Sequence, residues 1–161
     1  MVGFVLIVII MAIVFLVFMG VWIRSPSDSG GYESKDIYMF LESGMEVTTQ
    51  CAIGYVPNYV SLGELIKKCY EGGSMCLEGG NPCDVLDNEV KEILEASYKI
   101  GQDRPIKGYN FLVSYNSNST QIAEDAILEI SEGECKGIFK GAEYLIPSYP
   151  GTIVSSFKLC S

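Results

Sequence analysis

Hydrophobic and polar positions divide this chain into two unequal parts. Residues 1–23 contain no charged residue, and the first charge is Arg24. At 1.5 Å of rise per residue, a helix of that length spans about 35 Å, which is enough to cross a bilayer. Its apolar residues would lie on every side of the helix, so lipid or other helices would have to surround it. The pattern predicts a long apolar N-terminal helix over residues 1–24.

The apolar run has no basic residue before it. An extracellular C-terminal domain would require Lys or Arg on the cytoplasmic side of the segment. A cleavable secretory signal fits poorly, because its apolar region has only about 7–15 residues. Removal of a short basic leader by a leader peptidase would explain the pattern. An ordinary single-pass anchor, oriented by the domain that follows it, would also explain it.

The pattern after the apolar run first indicates helices. Residues 25–31, SPSDSGG, predict a hinge, because Pro, Gly and Ser disfavour a regular helix. In residues 32–51 apolar side chains recur every three or four positions, which predicts an amphipathic helix that ends near Cys51. Ser61 and Glu64 form a capping box at the start of a second helix. Pro82 suits the first turn of a third helix, which reaches about Ile100.

The period then changes to that of strands. Residues 108–119 alternate large and small side chains, and three further strands are predicted in AILEIS, GIFKGAEYLI and TIVSSFKLC. Consecutive strands with short connections favour an antiparallel sheet. The predicted fold class is therefore α+β: a long apolar N-terminal helix, then a small disulfide-bonded domain over residues 32–161 with two or three helices and a C-terminal antiparallel sheet.

Charge narrows the possible partners of this domain. The chain has 20 acidic and 11 basic residues, and its net charge is −9. Nucleic acids and anionic lipid surfaces attract proteins of the opposite sign, so neither is an expected partner. The chain has no histidine, which excludes Ser-His-Asp and Cys-His catalytic arrangements. We expect no enzyme activity and no cofactor.

The cysteines indicate an oxidising environment. All six follow the apolar run, at Cys51, Cys69, Cys76, Cys83, Cys135 and Cys160. An even number in a small acidic domain indicates disulfides formed in an oxidising compartment. The absence of Cys-x-x-Cys and of histidine argues against a structural zinc site. Asn118 begins the sequence Asn-Ser-Thr, which makes it a candidate glycosylation site outside the cell.

Six cysteines allow fifteen pairings. A short Gly- and Pro-containing spacer favours the pair Cys76–Cys83. Antiparallel packing of the first two helices favours the pair Cys51–Cys69. A hairpin of the last two strands favours the pair Cys135–Cys160. An alternative joins Cys69 to Cys76 and leaves Cys51 to pair with Cys83.

The order of these segments resembles the type IV pilin superfamily, and in particular its archaeal members. The resemblance is carried by the Val/Ile-rich stretch GFVLIVIIMAIVFLVF, and more weakly by DRPIKGYNF and GAEYLIPSYPGTIVSSFKLC. Bacterial pilins have a glutamate at the fifth mature position, where this chain has Val5. That difference favours the archaeal branch.

The resemblance implies a structural subunit of an extracellular archaeal type IV pilus-like filament, used for surface adhesion. The subunit would be held in the membrane, processed by a leader peptidase and assembled by pilus machinery into a helical homopolymer. The apolar helix would form the filament core, through residues that include Phe4, Leu6, Ile9, Ile13, Leu16 and Val17. Two alternatives stay open: a minor pilin or pseudopilin of a secretion or pilus machine, and a single-pass ectodomain that binds a ligand.

Overall fold

The structure is a computed structural model. It describes residues 11, 12, 15, 31–54, 58–72, 75–77, 80–101, 103–117, 125–135 and 138–161. In those ranges the helices with defined bounds are α1 (Lys35–Met45), α2 (Leu62–Glu71) and α3 (Pro82–Ser97). The strands are β1 (Gly31–Glu33), β2 (Thr48–Ile53), β3 (Asn58–Ser61), β4 (Gly108–Asn116), β5 (Asp125–Gly133), β6 (Phe139–Ser148) and β7 (Gly151–Cys160).

The predicted fold class is wrong in its leading element, the long apolar N-terminal helix. The helices α1, α2 and α3 have 11, 10 and 16 residues, and within the described ranges no helix is long and apolar enough to cross a membrane. An apolar run indicates that its side chains are removed from water, which by itself does not define a long helix. The core of the described domain is formed by a sheet and three amphipathic helices. Of residues 1–24 only Met11, Ala12 and Phe15 are described, and they are helical and exposed.

Five strands form the main sheet, in the order β1-β6-β7-β4-β5. The four strands predicted from the alternating pattern are confirmed as β4 to β7, and they pair in antiparallel fashion. The sheet is nevertheless mixed, because β1 pairs with β6 in parallel. Gly31, the last residue of the predicted hinge, belongs to β1, and residues 25–30 lie outside the described residues.

One face of the sheet carries the core. Register aligns the odd-numbered residues of β4 with those of β7, so that Phe111 lies opposite Phe157. The Phe157 side chain is fully buried, and its ring centroid lies 5.3 Å from that of Tyr98 and 5.7 Å from that of Phe40. These contacts attach α1 and the end of α3 to the middle of the sheet.

The helices begin and end where the sequence predicts for α2 and at the start of α3. The Ser61 side chain accepts a hydrogen bond of 3.4 Å from the Glu64 N–H, which confirms Ser61 as the N-cap of α2. Gly72 ends α2 with a φ of +65°, a conformation that favours glycine. Asn81 caps α3 by accepting from the Cys83 N–H at 2.9 Å, and Pro82 occupies the first turn. Helix α3 ends at Ser97, before Ile100.

Helix α1 is shorter than predicted. Its apolar face buries Ile37, Leu41 and Met45, but the helix ends at Met45. The next residues include Val47 and Thr48, whose branched side chains favour extended backbone. Strand β2 therefore replaces the last part of the predicted helix, and it contains Cys51.

Two of the three predicted disulfide pairs are wrong. The structure joins Cys51 to Cys76 and Cys69 to Cys83, and it leaves no described cysteine free. The alternative pairing of Cys69 with Cys76 is wrong as well. The physical reason is that Cys51 lies in β2, not at a helix end, and residues 75–77 run beside it: the Leu77 N–H donates to the Ala52 carbonyl at 2.8 Å. Cys69 and Cys83 are then brought together by the packing of α2 on α3.

The third pair, Cys135–Cys160, is confirmed. Its predicted geometry, two strand ends side by side in a hairpin, is wrong. The register places Phe139, and not Cys135, opposite Cys160. Cys135 lies two residues beyond the end of β5, and it reaches Cys160 from there.

Candidate functional site

A groove of about 530 Å³ lies between the small β2–β3 sheet and α3. Its lining consists of hydroxyl, amide, phenol and carboxylate groups with two apolar side chains: Thr48, Thr49, Gln50, Tyr59, Glu89, Glu92, Ile93 and Ala96.

The floor of the groove is held in shape by Thr49. The β2–β3 pairing is irregular between Thr48 and Ala52, so the regular ladder is interrupted there. The Thr49 hydroxyl donates to the Val60 carbonyl at 2.9 Å and accepts from the Cys51 N–H at 3.3 Å. Because this side chain is buried and both bonds are to backbone, it replaces the missing ladder bonds. The floor is therefore a defined surface.

The wall of the groove is formed by α3. Glu89 and Glu92 are three residues apart and so lie on neighbouring positions of the same helix face. The Glu89 Oε1 atom accepts a hydrogen bond of 3.0 Å from the Gln50 N–H. That bond holds the Glu89 carboxylate over the floor of the groove. It also gives the Gln50 N–H of β2 a hydrogen-bond acceptor. Neither glutamate takes part in the ion pairs found among the described residues, which join Lys68 to Glu71 and Lys91 to Asp87.

The charged groups that line the groove are both carboxylates, which accept hydrogen bonds. Two carboxylates and the half-exposed phenol of Tyr59 suit a ligand group that donates hydrogen bonds or carries positive charge. The chain has no histidine, and the described residues contain no cluster of three or more His, Cys, Asp or Glu side chains placed to hold a metal ion. The arrangement can bind a ligand, but it supplies no paired nucleophile and base.

A second polar contact, partly buried, lies on the main sheet. The Tyr109 phenol donates to Glu132 Oε2 at 2.9 Å, between β4 and β5. Burial and this hydrogen bond raise the pKa of Tyr109 to about 12. The contact faces the core side of the sheet, where Tyr109 is 2% exposed. It is a structural link between two strands.

The residues singled out from the sequence are not gathered in the groove. The six cysteines form three separate crosslinks. Asn118 and the expected assembly residues Phe4, Leu6, Ile9, Ile13, Leu16 and Val17 lie outside the described residues.

The sequence pattern does not predict the groove, because its amphipathic spacing extends the first helix through Thr48. The three consecutive β-branched residues Val47, Thr48 and Thr49 were the available signal for a strand there. The position of Glu89 beside Gln50, 39 residues away, had no signal in the sequence.

The sequence matches no protein-family profile, and no curated protein matches it significantly.

Proposed function

We propose that this chain is a non-enzymatic structural subunit of an extracellular filament of the archaeal type IV pilus kind, used for surface adhesion. Residues 1–23 would keep the subunit in the membrane before assembly and would contact other subunits after it. The disulfide-bonded domain would lie on the outside. The partners in this proposal are other copies of the chain, the membrane, a leader peptidase and the pilus assembly machinery.

The observation that carries the proposal is the combination of the apolar run with a fully oxidised domain. Three disulfides join all six cysteines of the chain, and such crosslinks persist outside the cytoplasm. The domain follows an uncharged run of 23 residues, which favours lipid or a protein interior over water. A surface subunit that polymerises needs a folded domain and a segment that binds other subunits. The disulfide-bonded domain and the apolar run would serve these two purposes.

Electron microscopy of filaments sheared from cells that express the full chain tests this proposal. Val8→Asp or Ile13→Lys places a charge in the apolar run, where an unpaired charge is costly in any water-free contact. We expect neither variant to assemble. Met39→Asp is the control, because Met39 is 55% exposed on α1. Normal filaments from both charged variants, or none from the unmodified chain, would contradict the proposal.

The groove favours one other candidate, a membrane-anchored ectodomain that binds a ligand. Its support is the set of acceptors around Glu89 and Tyr59 described above. The two candidates differ in processing: a short Lys/Arg-rich leader that ends in Gly or Ala directly before residue 1 supports the filament subunit. A gene without such a leader, and cells without filaments, support the ectodomain.

A further inference from the structure

The described domain has two ends, and the chain enters at one of them. Gly31 of β1 lies opposite Phe139, the first residue of β6, and the two strands are parallel. Strand β6 then runs for ten residues to Ser148, about 30 Å at 3.3 Å per residue. The turn between β6 and β7 therefore lies at the end of the sheet that is far from the entry of residues 1–30.

The helices cover only one face of the main sheet. Phe40 of α1 and Tyr70 of α2 contact rings on the core face, those of Phe157 and Tyr115. On the opposite face, Leu145 of β6 is 61% exposed, and its cross-strand neighbour Val154 is half-buried. No described helix contributes a ring contact there. At the far end this face, which we call the distal sheet face, consists of Ser114, Asn116, Ala126, Leu145, Pro147, Thr152 and Val154. Ser114 in its middle is 5% exposed, so the exposed apolar part of the face lies on β6 and β7.

The distal sheet face is uncharged in a strongly acidic chain. Residues 108–123 and 144–157 contain no charged residue, although the chain has 31 in total, 20 acidic and 11 basic. The nearest charges on this face are Glu143 and Glu129, one row closer to the chain entry. Tyr149, in the adjoining turn, is 100% exposed. Large apolar side chains are thus displayed where charge is absent.

We propose that the distal sheet face is a contact surface between copies of this chain. The inference rests on the proposed function, in that the chain assembles with itself. Two copies that each carry a net charge of −9 repel one another, and burying a carboxylate costs free energy unless it is paired. Contact through the distal sheet face avoids both costs and removes Leu145, Val154 and Tyr149 from water.

The contact is made by side chains rather than by an added strand. Pro147 has no N–H, and it lies in β6, whose outer side beyond Gly141 has no strand partner among the described residues. A proline at this position prevents a continuous ladder with another chain. Face-to-face packing of two distal sheet faces remains, as in stacked sheets about 10 Å apart.

Sedimentation equilibrium of the full chain in density-matched neutral detergent tests the contact. Leu145→Asp places a charge on the β6 edge of the distal sheet face, and Tyr149→Asp places one in the adjoining turn. Leu77→Asp is the matched control, because Leu77 is 51% exposed on the disulfide-linked segment near β2. We expect Leu145→Asp and Tyr149→Asp each to weaken self-association at least about tenfold, and Leu77→Asp to leave it unchanged.

The proposal is overturned if Leu145→Asp and Tyr149→Asp leave the self-association constant unaltered. It is also overturned if Leu77→Asp reduces that constant equally. Microscopy separates this result from the fate of the proposed function. If filaments form and Leu145→Asp leaves self-association unchanged, the contact surface is overturned and the filament proposal stands. Absence of filaments together with loss of association in Leu145→Asp overturns the filament and supports the contact.

Discussion

Gly108 of β4 and Gly133 of β5 lie directly opposite each other, so close that neither position has room for a side chain. A Cβ atom on Gly108 would lie 2.7 Å from the Glu132 carbonyl oxygen and 2.9 Å from the Glu134 nitrogen. A Cβ atom on Gly133 would collide with the Lys107 carbonyl oxygen. The chain turns at Gly133 and crosses over Gly108, and this path brings Cys135 to Cys160, which also lies opposite Gly108.

Gly133→Ala should be strongly destabilising. The φ of Gly133 is +75°, which costs a residue with a side chain about 1–2 kcal/mol, and overpacking adds about 1–3 kcal/mol. We expect a loss of about 2–5 kcal/mol in the free energy of unfolding, measured with urea. Gly44→Ala in α1 is the control, since a Cβ there meets nothing within 4 Å, and alanine favours the helix. Equal stability of the two variants would contradict the close approach.

Tyr109 should make stability fall at high pH. Burial, and secondly the hydrogen bond to Glu132, raise its pKa to about 12, above the ordinary value of about 10. The folded state therefore favours the neutral phenol. This contribution, roughly 3 kcal/mol, is complete below pH 10 and is lost as the pH rises through 12.

Urea unfolding between pH 8 and 12 measures this loss. Tyr109→Phe should reduce the fall between pH 10 and 12, at the cost of about 1 kcal/mol near neutral pH for the missing hydrogen bond. Part of the fall should persist, because burial also raises the pKa of Tyr70 and of Tyr98. Tyr149→Phe, at a fully exposed position, should keep the fall. Parallel curves for the unmodified chain and Tyr109→Phe would refute this assignment.

Ser155→Ala should stabilise the domain. Ser155 lies on β7 with no exposed surface, and its hydroxyl is the one buried side-chain polar atom within the described ranges that has no hydrogen-bond partner. Burying such a hydroxyl costs about 1–3 kcal/mol, and alanine removes it with little change in volume. We expect a gain of about 1 kcal/mol in the free energy of unfolding. Ser156→Ala on the opposite face, where the side chain is half-buried, is the comparison and should be nearly neutral.

The disulfide pattern can be read by peptide mapping under non-reducing conditions. We expect crosslinked peptides that contain Cys51 with Cys76, Cys69 with Cys83, and Cys135 with Cys160. Each bridge should contribute roughly 2–4 kcal/mol by restricting the unfolded chain. Detection of Cys76 joined to Cys83 would contradict the placement of residues 75–77 beside β2. Free thiols throughout would contradict the extracellular location in our proposal.

Asn118 is expected to carry a glycan in an extracellular protein. It lies in sequence between β4 and β5, in the polar stretch NSNST. Asn118→Gln should lower the intact mass by one glycan and leave filament assembly unchanged. Asn116→Gln is the control, because that residue begins no Asn-x-Ser/Thr triplet. An unmodified Asn118 in cells that glycosylate other surface proteins would contradict this prediction.

Four strands and the starts of two helices can be predicted from the sequence, because they depend on neighbours along the chain; strands β1, β2 and β3 were not predicted. Alternation of large and small side chains was sufficient for β4 to β7, and the Ser61–Glu64 capping box and Pro82 marked the starts of α2 and α3. Composition was also sufficient to indicate disulfides. The end of α1 was predicted too late, because the amphipathic spacing of Ile37 to Met45 continues to Thr48. The helical backbone ends at Met45, and β2 begins at Thr48.

How these elements pack together depends on contacts between residues far apart in the chain. The pairing of Cys51 with Cys76 depends on β2 lying beside residues 75–77, and the groove depends on Glu89 reaching Gln50. The route of the chain over Gly108 to Cys160 depends on a left-handed turn at Gly133. Contacts between residues far apart in the chain leave no periodic pattern in it, because their geometry is set by packing and not by the spacing of neighbouring side chains.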